Sequence, residues 1–341
     1  MNTDWKYNNE HVDAVIETHG LTVKQIEART KKYAVQASKG DCFAKFALGF
    51  ASHLGIGISQ DQNKSRELLK EASSTSDLEL LNRIGEMRYY FEFYGDAVES
   101  LGRSYEQGFT RSASTLGVLR LRGLGCEQDT ETAIALFEES YAHGDPRAAL
   151  ELGMLTFEGR YCEQDTKKAI SLCKEAASNG VAEAAYELGR IYDYLEDKKT
   201  AVVWMAKAAE MGNVEAQAIA GEYYAMKGET DEVIEQGIQW IENSAKQGHV
   251  RSVYMLAVLI AFKKIEGTMQ QAFEYCQDAA TQGYGRAQYM LSGLYENGDG
   301  VEQDDELAQH WLKEAIKNGN ESAIALEKRN AERRGRNADS R

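Results

Sequence analysis

Six histidines, five cysteines and a recurring acidic triplet are the residues of this chain with types suited to chemistry. A zinc helix needs paired ligands at i and i+4, and His11, His19, His53, His143, His249 and His310 show no such pairing. Cys42, Cys126, Cys162, Cys173 and Cys276 are odd in number and scattered, which indicates neither a metal pair nor a disulfide framework. Cys42 and His53 could meet in space, but a thiol–imidazole pair needs a third group to orient it. Glu127-Gln128-Asp129, Glu163-Gln164-Asp165 and Glu302-Gln303-Asp304 offer carboxylate pairs of the kind that bind calcium or exchange protons. Segment Glu296 to Glu306 nevertheless lacks the ligand spacing of an EF-hand, and recurrence of the aspartate at a helix start is better explained by capping. No G-x-x-x-x-G-K-[ST] phosphate loop occurs. No catalytic, metal, cofactor or small-molecule site is indicated.

The elements that carry these residues are revealed by glycine. Gly40, Ser76, Gly108, Gly144, Gly180, Gly212, Gly248, Gly283 and Gly319 are spaced by 32 to 36 residues and mark eight units. These run 40–75, 76–107, 108–143, 144–179, 180–211, 212–247, 248–282 and 283–319. Four residues after the junction comes a small residue such as Ala44, Ser112, Ala148 or Ala184; four later come pairs such as Leu48-Gly49, Leu116-Gly117 and Leu188-Gly189. That spacing makes one packing stripe of a first helix, with small residues that admit a close neighbour. Leu68, Leu136, Leu172, Trp204, Trp240, Tyr275 and Trp311 mark a second helix, with Ser100 the exception. Loops such as Gly55-Ile56-Gly57, Gly123-Leu124-Gly125 and Gly298-Asp299-Gly300 join the two, leading to Asp61, Asp129, Asp165 or Asp304 as caps. One proline against thirty glycines suits helices that glycine terminates; Pro146 stands at a helix start, where proline is tolerated.

This pattern of A-x-x-x-L-G-x-x-Y, G-x-G-V, D and A-x-x-W-x-x-K-A-A-x-x-G resembles the Sel-one-like repeat, a relative of the tetratricopeptide repeat. Its best copy, Ala287 to Gly319, has Tyr295, Gly298, Gly300, Val301, Asp304, Ala308, Trp311 and Ala315 in place. The resemblance covers roughly residues 40 to 320 and implies an all-α fold: a right-handed superhelical solenoid of about eight helix pairs with helical caps. It further implies a non-catalytic scaffold or adaptor that binds a partner protein on its concave face. Some relatives are associated with toxin systems, so the alternative is an immunity protein that neutralises a toxin effector by direct binding.

Several units depart from the pattern. Those from Ser76 and Gly180 lack the Gly-x-Gly loop, the unit from Gly144 has Tyr161 at the second glycine, and the unit from Gly248 carries Lys263-Lys264-Ile265-Glu266-Gly267 there. Residues 1–39 are expected to form an N-terminal helical cap, with two non-consensus helices in 9 to 39, and 320–341 a C-terminal capping helix and basic tail. The tail is a solvated cap or a docking arm. A net charge of −15 excludes general nucleic-acid binding and favours solubility and a basic partner. Apolar residues at 43% supply a continuous core. The longest apolar run, Met255 to Phe262, is too short to span a bilayer, and the start MNTDWKYNNE lacks a signal core. A reducing, cytoplasmic setting is expected, with no membrane partner.

In tetratricopeptide relatives the first helices line the concave surface. Positions five before, two before and two after the packing Leu then fall on the exposed side of each first helix. Five before stand Phe43, Glu79, Arg111, Arg147, Glu183, Glu215, Arg251 and Arg286; two before stand Phe46, Asn82, Ser114, Leu150, Tyr186, Ala218, Tyr254 and Tyr289; two after, the series includes Val118, Met154, Arg190 and Glu222. Arginine with tyrosine is a frequent interface composition, which makes Arg111, Arg147, Tyr186, Arg190, Arg251, Tyr254, Arg286 and Tyr289 candidate partner-binding residues. Phe43, Phe46 and Phe50 are expected to pack under the N-terminal cap. Tyr89-Tyr90-Phe91-Glu92-Phe93-Tyr94 is a second candidate, with Tyr89 and Tyr94 either exposed or packing on the next unit in place of the missing loop.

Overall fold

The computed structural model describes residues 22–161 and 163–339. Among the described residues there are α-helices and no strands, and the chain divides into two compact units between Asp197 and Lys198. The N-terminal unit contains α1 (Val23–Ala37), α2 (Cys42–Leu54), α3 (Gln62–Ala72), α4 (Leu78–Tyr90), α5 (Tyr94–Glu106), α6 (Ser112–Arg122), α7 (Thr130–Ala142), α8 (Pro146–Glu158), α9 (Thr166–Ser178) and α10 (Ala182–Tyr194). The C-terminal unit contains α11 (Lys198–Glu210), α12 (Val214–Lys227), α13 (Asp231–Lys246), α14 (Val250–Ala261), α15 (Met269–Thr281), α16 (Gly285–Asn297), α17 (Asp305–Lys317) and α18 (Glu321–Asp339). Within each unit the first helix of a repeat packs on its second, and the second packs on the first helix of the next repeat. The fold is an all-α solenoid.

The residue columns explain this stacking. Ala44, Ser112, Ala148, Ala184, Ala216, Ser252 and Ala287 are all buried, as are Leu48, Leu116, Leu188 and Leu291. A methyl group added to Gly117 would stand 2.6 Å from the Phe137 ring, so glycine beside the Leu is what brings α6 and α7 together. The loop aspartates cap as their spacing predicts: Asp61, Asp129, Asp165 and Asp304 accept from the amides of Lys64, Thr132, Lys168 and Leu307 at 2.9–3.0 Å. The glutamine before three of them has its own task. Gln60, Gln128 and Gln164 donate through Nε2 to the carbonyls of His53, Leu121 and Phe157 at 2.8–2.9 Å, tying each loop to the end of its first helix. Where a repeat lacks its glycine loop, a non-glycine residue takes the left-handed turn: Glu92, Glu196 and Lys263 have φ of 62°, 62° and 55°.

The Ser100 exception is a substitution of one kind of packing for another. Arg88 of α4 is only 2% exposed and fills the space a large side chain would occupy. Its guanidinium donates to Ser100 Oγ and, at 3.1 Å, to the Asp96 carbonyl. The second helices are also joined along the chain: Tyr105 donates its hydroxyl to Glu139, and Tyr141 donates to Glu175 at 3.0 Å.

At the N-terminal end, α1 begins with a Thr22–Gln25 capping box and packs on α2; residues 9–21, where a further cap helix is expected, lie outside the described residues. At the other end α18 packs on α17, with Ala323 fully buried. No described helix is long and apolar enough to cross a membrane.

Candidate functional site

The first helices carry the candidate residues, and their exposure differs from the simple helical-wheel expectation. The position five before the packing Leu is open: Phe43, Glu79, Arg111, Arg147, Glu183, Glu215 and Arg286 are exposed, and Arg251 is partly covered. The position two before is not open: Phe46, Asn82, Ser114, Leu150 and Ala218 are buried, and Tyr186, Tyr254 and Tyr289 are half-buried. A first helix has neighbours on two sides, its own second helix and adjoining first helices, so the exposed stripe is narrow. The hydrogen bond from Ser112 Oγ to Asn82 Oδ1, 2.8 Å between successive first helices, shows where that edge goes.

In the N-terminal unit Arg111 and Arg147 line one cleft of about 510 Å³ together with Glu86, Thr110 and Thr115. The Arg147 guanidinium bonds to Tyr90 and lies in the field of Glu86 and Asp145. Further along the unit, Arg190 holds both oxygens of Glu187 at 3.0 Å and sits 6.0 Å from the centre of the Tyr186 ring. Between these groups is Glu151. Burial pushes its carboxyl up to about 7; Arg122 opposes the shift, and Glu183 and Glu187 add to it.

In the aromatic segment the rings pack on their neighbours. Phe91 is buried and stacks on His53, with ring centres 3.6 Å apart and planes 4° off parallel, while Phe93 meets both edge-on. Tyr89 and Tyr94 are half-buried, 6.0 Å apart, against the core made by Leu116 and Leu119 of the next repeat. Glycine at 125 is required there, because a Cβ would collide with the backbone of Tyr94 and Gly95. The structure therefore does not bring Tyr89 and Tyr94 together with the other candidates on an open stripe.

In the C-terminal unit three first helices contribute to one network. Arg251 of α14 donates from Nε to Glu222 of α12 at 2.8 Å, and Arg286 of α16 stands 3.5 Å from the other Glu222 oxygen. Tyr254 lies beside Tyr284, ring centres 5.3 Å apart, and burial pushes its hydroxyl up to about 12. Glu222 stands in the column two after the Leu, but its double pairing was missed: only the proximity of successive repeats in space reveals it. The neighbouring pair of His249 and Glu215, 3.1 Å apart, follows the same rule.

The groups with possible chemistry are placed apart. Cys42 begins α2 and approaches Ser74 Oγ at 3.9 Å, whereas His53 lies near the other end of α2 against Phe91. Burial pushes the Cys173 and Cys276 thiols up to about 12, which leaves them protonated and unreactive at neutral pH. Among the described residues no group of three or more His, Cys, Asp or Glu side chains is arranged to hold a metal ion. Cys162, His11 and His19 lie outside the described residues.

Comparisons with known proteins follow the same outline. The Sel1 repeat model matches residues 43–74, 112–145, 146–181, 182–213, 214–249, 269–284 and 285–320. The repeat containing Arg88 and Ser100 is left unmatched, in keeping with its altered core. No curated protein matches significantly. Among solved structures, the protective antigen c5321 of uropathogenic Escherichia coli, described as displaying an SLR fold, is 24% identical with a TM-score of 0.63, over 91% of this chain and 68% of that one. A Sel1 repeat protein from Oxalobacter formigenes is 24% identical with a TM-score of 0.53, over 69% of this chain and 96% of that one. The immunity protein Pa5087 of Pseudomonas aeruginosa is 16% identical over 72% of this chain and 83% of that one, with a TM-score of 0.36, too low to bear on this chain. With its helix pairs, capped loops and matched repeats, this chain belongs to the Sel1 repeat family.

Proposed function

We propose that this chain is a non-catalytic, cytoplasmic scaffold or adaptor of bacterial type that holds a protein partner against the exposed stripe of its first helices. Sel1 repeats generally serve as protein-interaction scaffolds. The observation that carries the reading here is the Arg251–Glu222–Arg286 network beside Tyr254 and Tyr289: charged and aromatic side chains from three successive first helices in one patch. Tyrosine and arginine are the side chains enriched among the anchors of protein interfaces. The four described cysteines are free thiols, which suits a reducing compartment.

The test is affinity capture by the tagged chain from its native lysate, beside a Tyr254→Ala/Tyr289→Ala/Arg286→Glu variant. A stoichiometric partner bound by the wild type and lost in the variant supports this reading and its location. A partner retained by the variant removes this patch from the interface.

A second reading, neutralisation of a basic toxin effector, is favoured by the net charge of −15, which attracts a basic target over long range. Its test is survival of cells that express a toxin encoded beside this chain; absence of protection counts against it.

A further inference from the structure

We propose that the cleft beside Arg111 and Arg147 receives a carboxylate of the protein partner, carried on an extended segment; this rests on the scaffold reading above. The cleft is lined by the first helices α4, α6 and α8 and by the α7–α8 junction, all within the N-terminal unit. Its volume of about 510 Å³ falls within the range of roughly 300–1,000 Å³ common to ligand pockets.

The charges on its walls are unequally spent. Asp145 is consumed in structure, because Oδ1 accepts from the Arg147 amide and Oδ2 from the Ser140 hydroxyl, both at 2.9 Å. Glu86 supplies a countercharge to Arg147, whose guanidinium is held by Tyr90. Arg111 is different. Among the described residues its side chain has no ion pair, no hydrogen bond and no role in capping α6. The hydroxyls of Thr110 and Thr115, on the same wall, make no hydrogen bond among the described residues. The wall thus presents a guanidinium, which only donates, and two hydroxyls able to donate. A planar acceptor of opposite charge fits that set, and a carboxylate pairs with guanidinium through two parallel hydrogen bonds. Arg111 and Arg147 offset Glu86 and Asp145 on the cleft walls, so in a chain of net charge −15 the cleft is locally neutral, and the Arg111 guanidinium is the charge there left for an acidic group.

The sources of such a group are an Asp or Glu side chain and a C-terminal carboxylate. The experiment measures fluorescence anisotropy of labelled hexapeptides against the full chain. One peptide alternates Asp and Glu with a free C-terminus, a second has the same sequence amidated, and a third replaces every acid by Lys. The acidic peptide should bind, and Arg111→Glu should weaken it at least tenfold and Arg111→Gln several-fold, with unchanged circular dichroism. Lys264→Glu, an equal change of net charge in the exposed α14–α15 loop of the other unit, should leave binding within about twofold. Loss on amidation assigns the C-terminal carboxylate; retention assigns the side chains. Equal or tighter binding of the Lys peptide, no binding of the acidic peptides to millimolar concentration, or indifference to Arg111→Glu would overturn the proposal. In any of those cases lysate capture lost in the C-terminal variant would still uphold the scaffold reading.

Discussion

Arg251 Nε lies 2.8 Å from Glu222 Oε2, although the two residues belong to different repeats and to different columns of the helical pattern. Arg286 adds a second guanidinium at 3.5 Å from the same carboxylate, and its side chain is 58% exposed. One acid between two bases leaves the patch net positive, with the outer arginine available to a partner. The pairs are partly exposed to solvent, so Glu222→Gln should change unfolding stability by no more than about 1 kcal/mol. Partner affinity should change at least threefold, because the amide offers one neutral acceptor oxygen where the two arginines shared the two oxygens of a carboxylate. An unchanged affinity in a binding titration would remove the network from the interface.

Glu151 makes the N-terminal unit sensitive to pH. Its folded pKa is raised to about 7 by burial, above the ordinary 4.5, so the native state holds this proton more tightly than the unfolded chain. Stability from this group is present below about 4.5 and is lost as pH rises through about 7. Glu151→Gln should therefore unfold at higher urea than wild type at pH 8, by up to about 3 kcal/mol, and match it at pH 4.5. A variant equally displaced at both pH values would show that the effect is packing and not ionisation.

The left-handed turns at Glu92 and Glu196 carry a steric cost that glycine does not. Glu92→Gly should raise stability by about 1 kcal/mol, the relief of strain exceeding the added freedom of the unfolded chain. Gly125→Ala should do the opposite and more strongly, since its methyl meets the backbone of Tyr94 and Gly95. Urea midpoints measured at one pH for both variants check the pair of signs.

Buried Arg88 and Ser100 form a polar insert where other repeats place a large apolar side chain. Arg88→Ala removes the side chain that fills this space and should cost about 3 kcal/mol or more, through a cavity and through the lost hydrogen bonds to Ser100 and the Asp96 carbonyl. Arg88→Met with Ser100→Leu, which rebuilds the apolar column, should recover most of that loss. Failure of the double variant to improve on Arg88→Ala in thermal or urea unfolding would mean the arginine positions the Tyr89–Tyr94 segment as well.

The fold was legible because repetition averages out local ambiguity. Gly108, Gly144 and Gly180 end successive helix pairs, and Asp129 and Asp165 cap where the triplets place them. What the sequence concealed lies between repeats. Ser100 reads as a gap until Arg88, twelve residues earlier, is seen to fill it. Asn82 and Leu150 read as exposed on a helix with one neighbour, but a solenoid helix has neighbours on two sides. The pairing of Glu222 with Arg286 depends on how repeats stack in space, which no single-helix wheel contains. Arg111 was visible as a charged position; that its guanidinium, beside the free hydroxyls of Thr110 and Thr115, makes no pair among the described residues was not.

The most direct test of the scaffold reading is hydrogen–deuterium exchange on the chain with and without its captured partner. Slowed exchange should concentrate in the first helices, Val214–Lys227, Val250–Ala261 and Gly285–Asn297 above all, with little change in the second helices between them. Protection confined to the second helices, Asp231–Lys246 and Met269–Thr281, would contradict it and place the partner on the other side of the repeats.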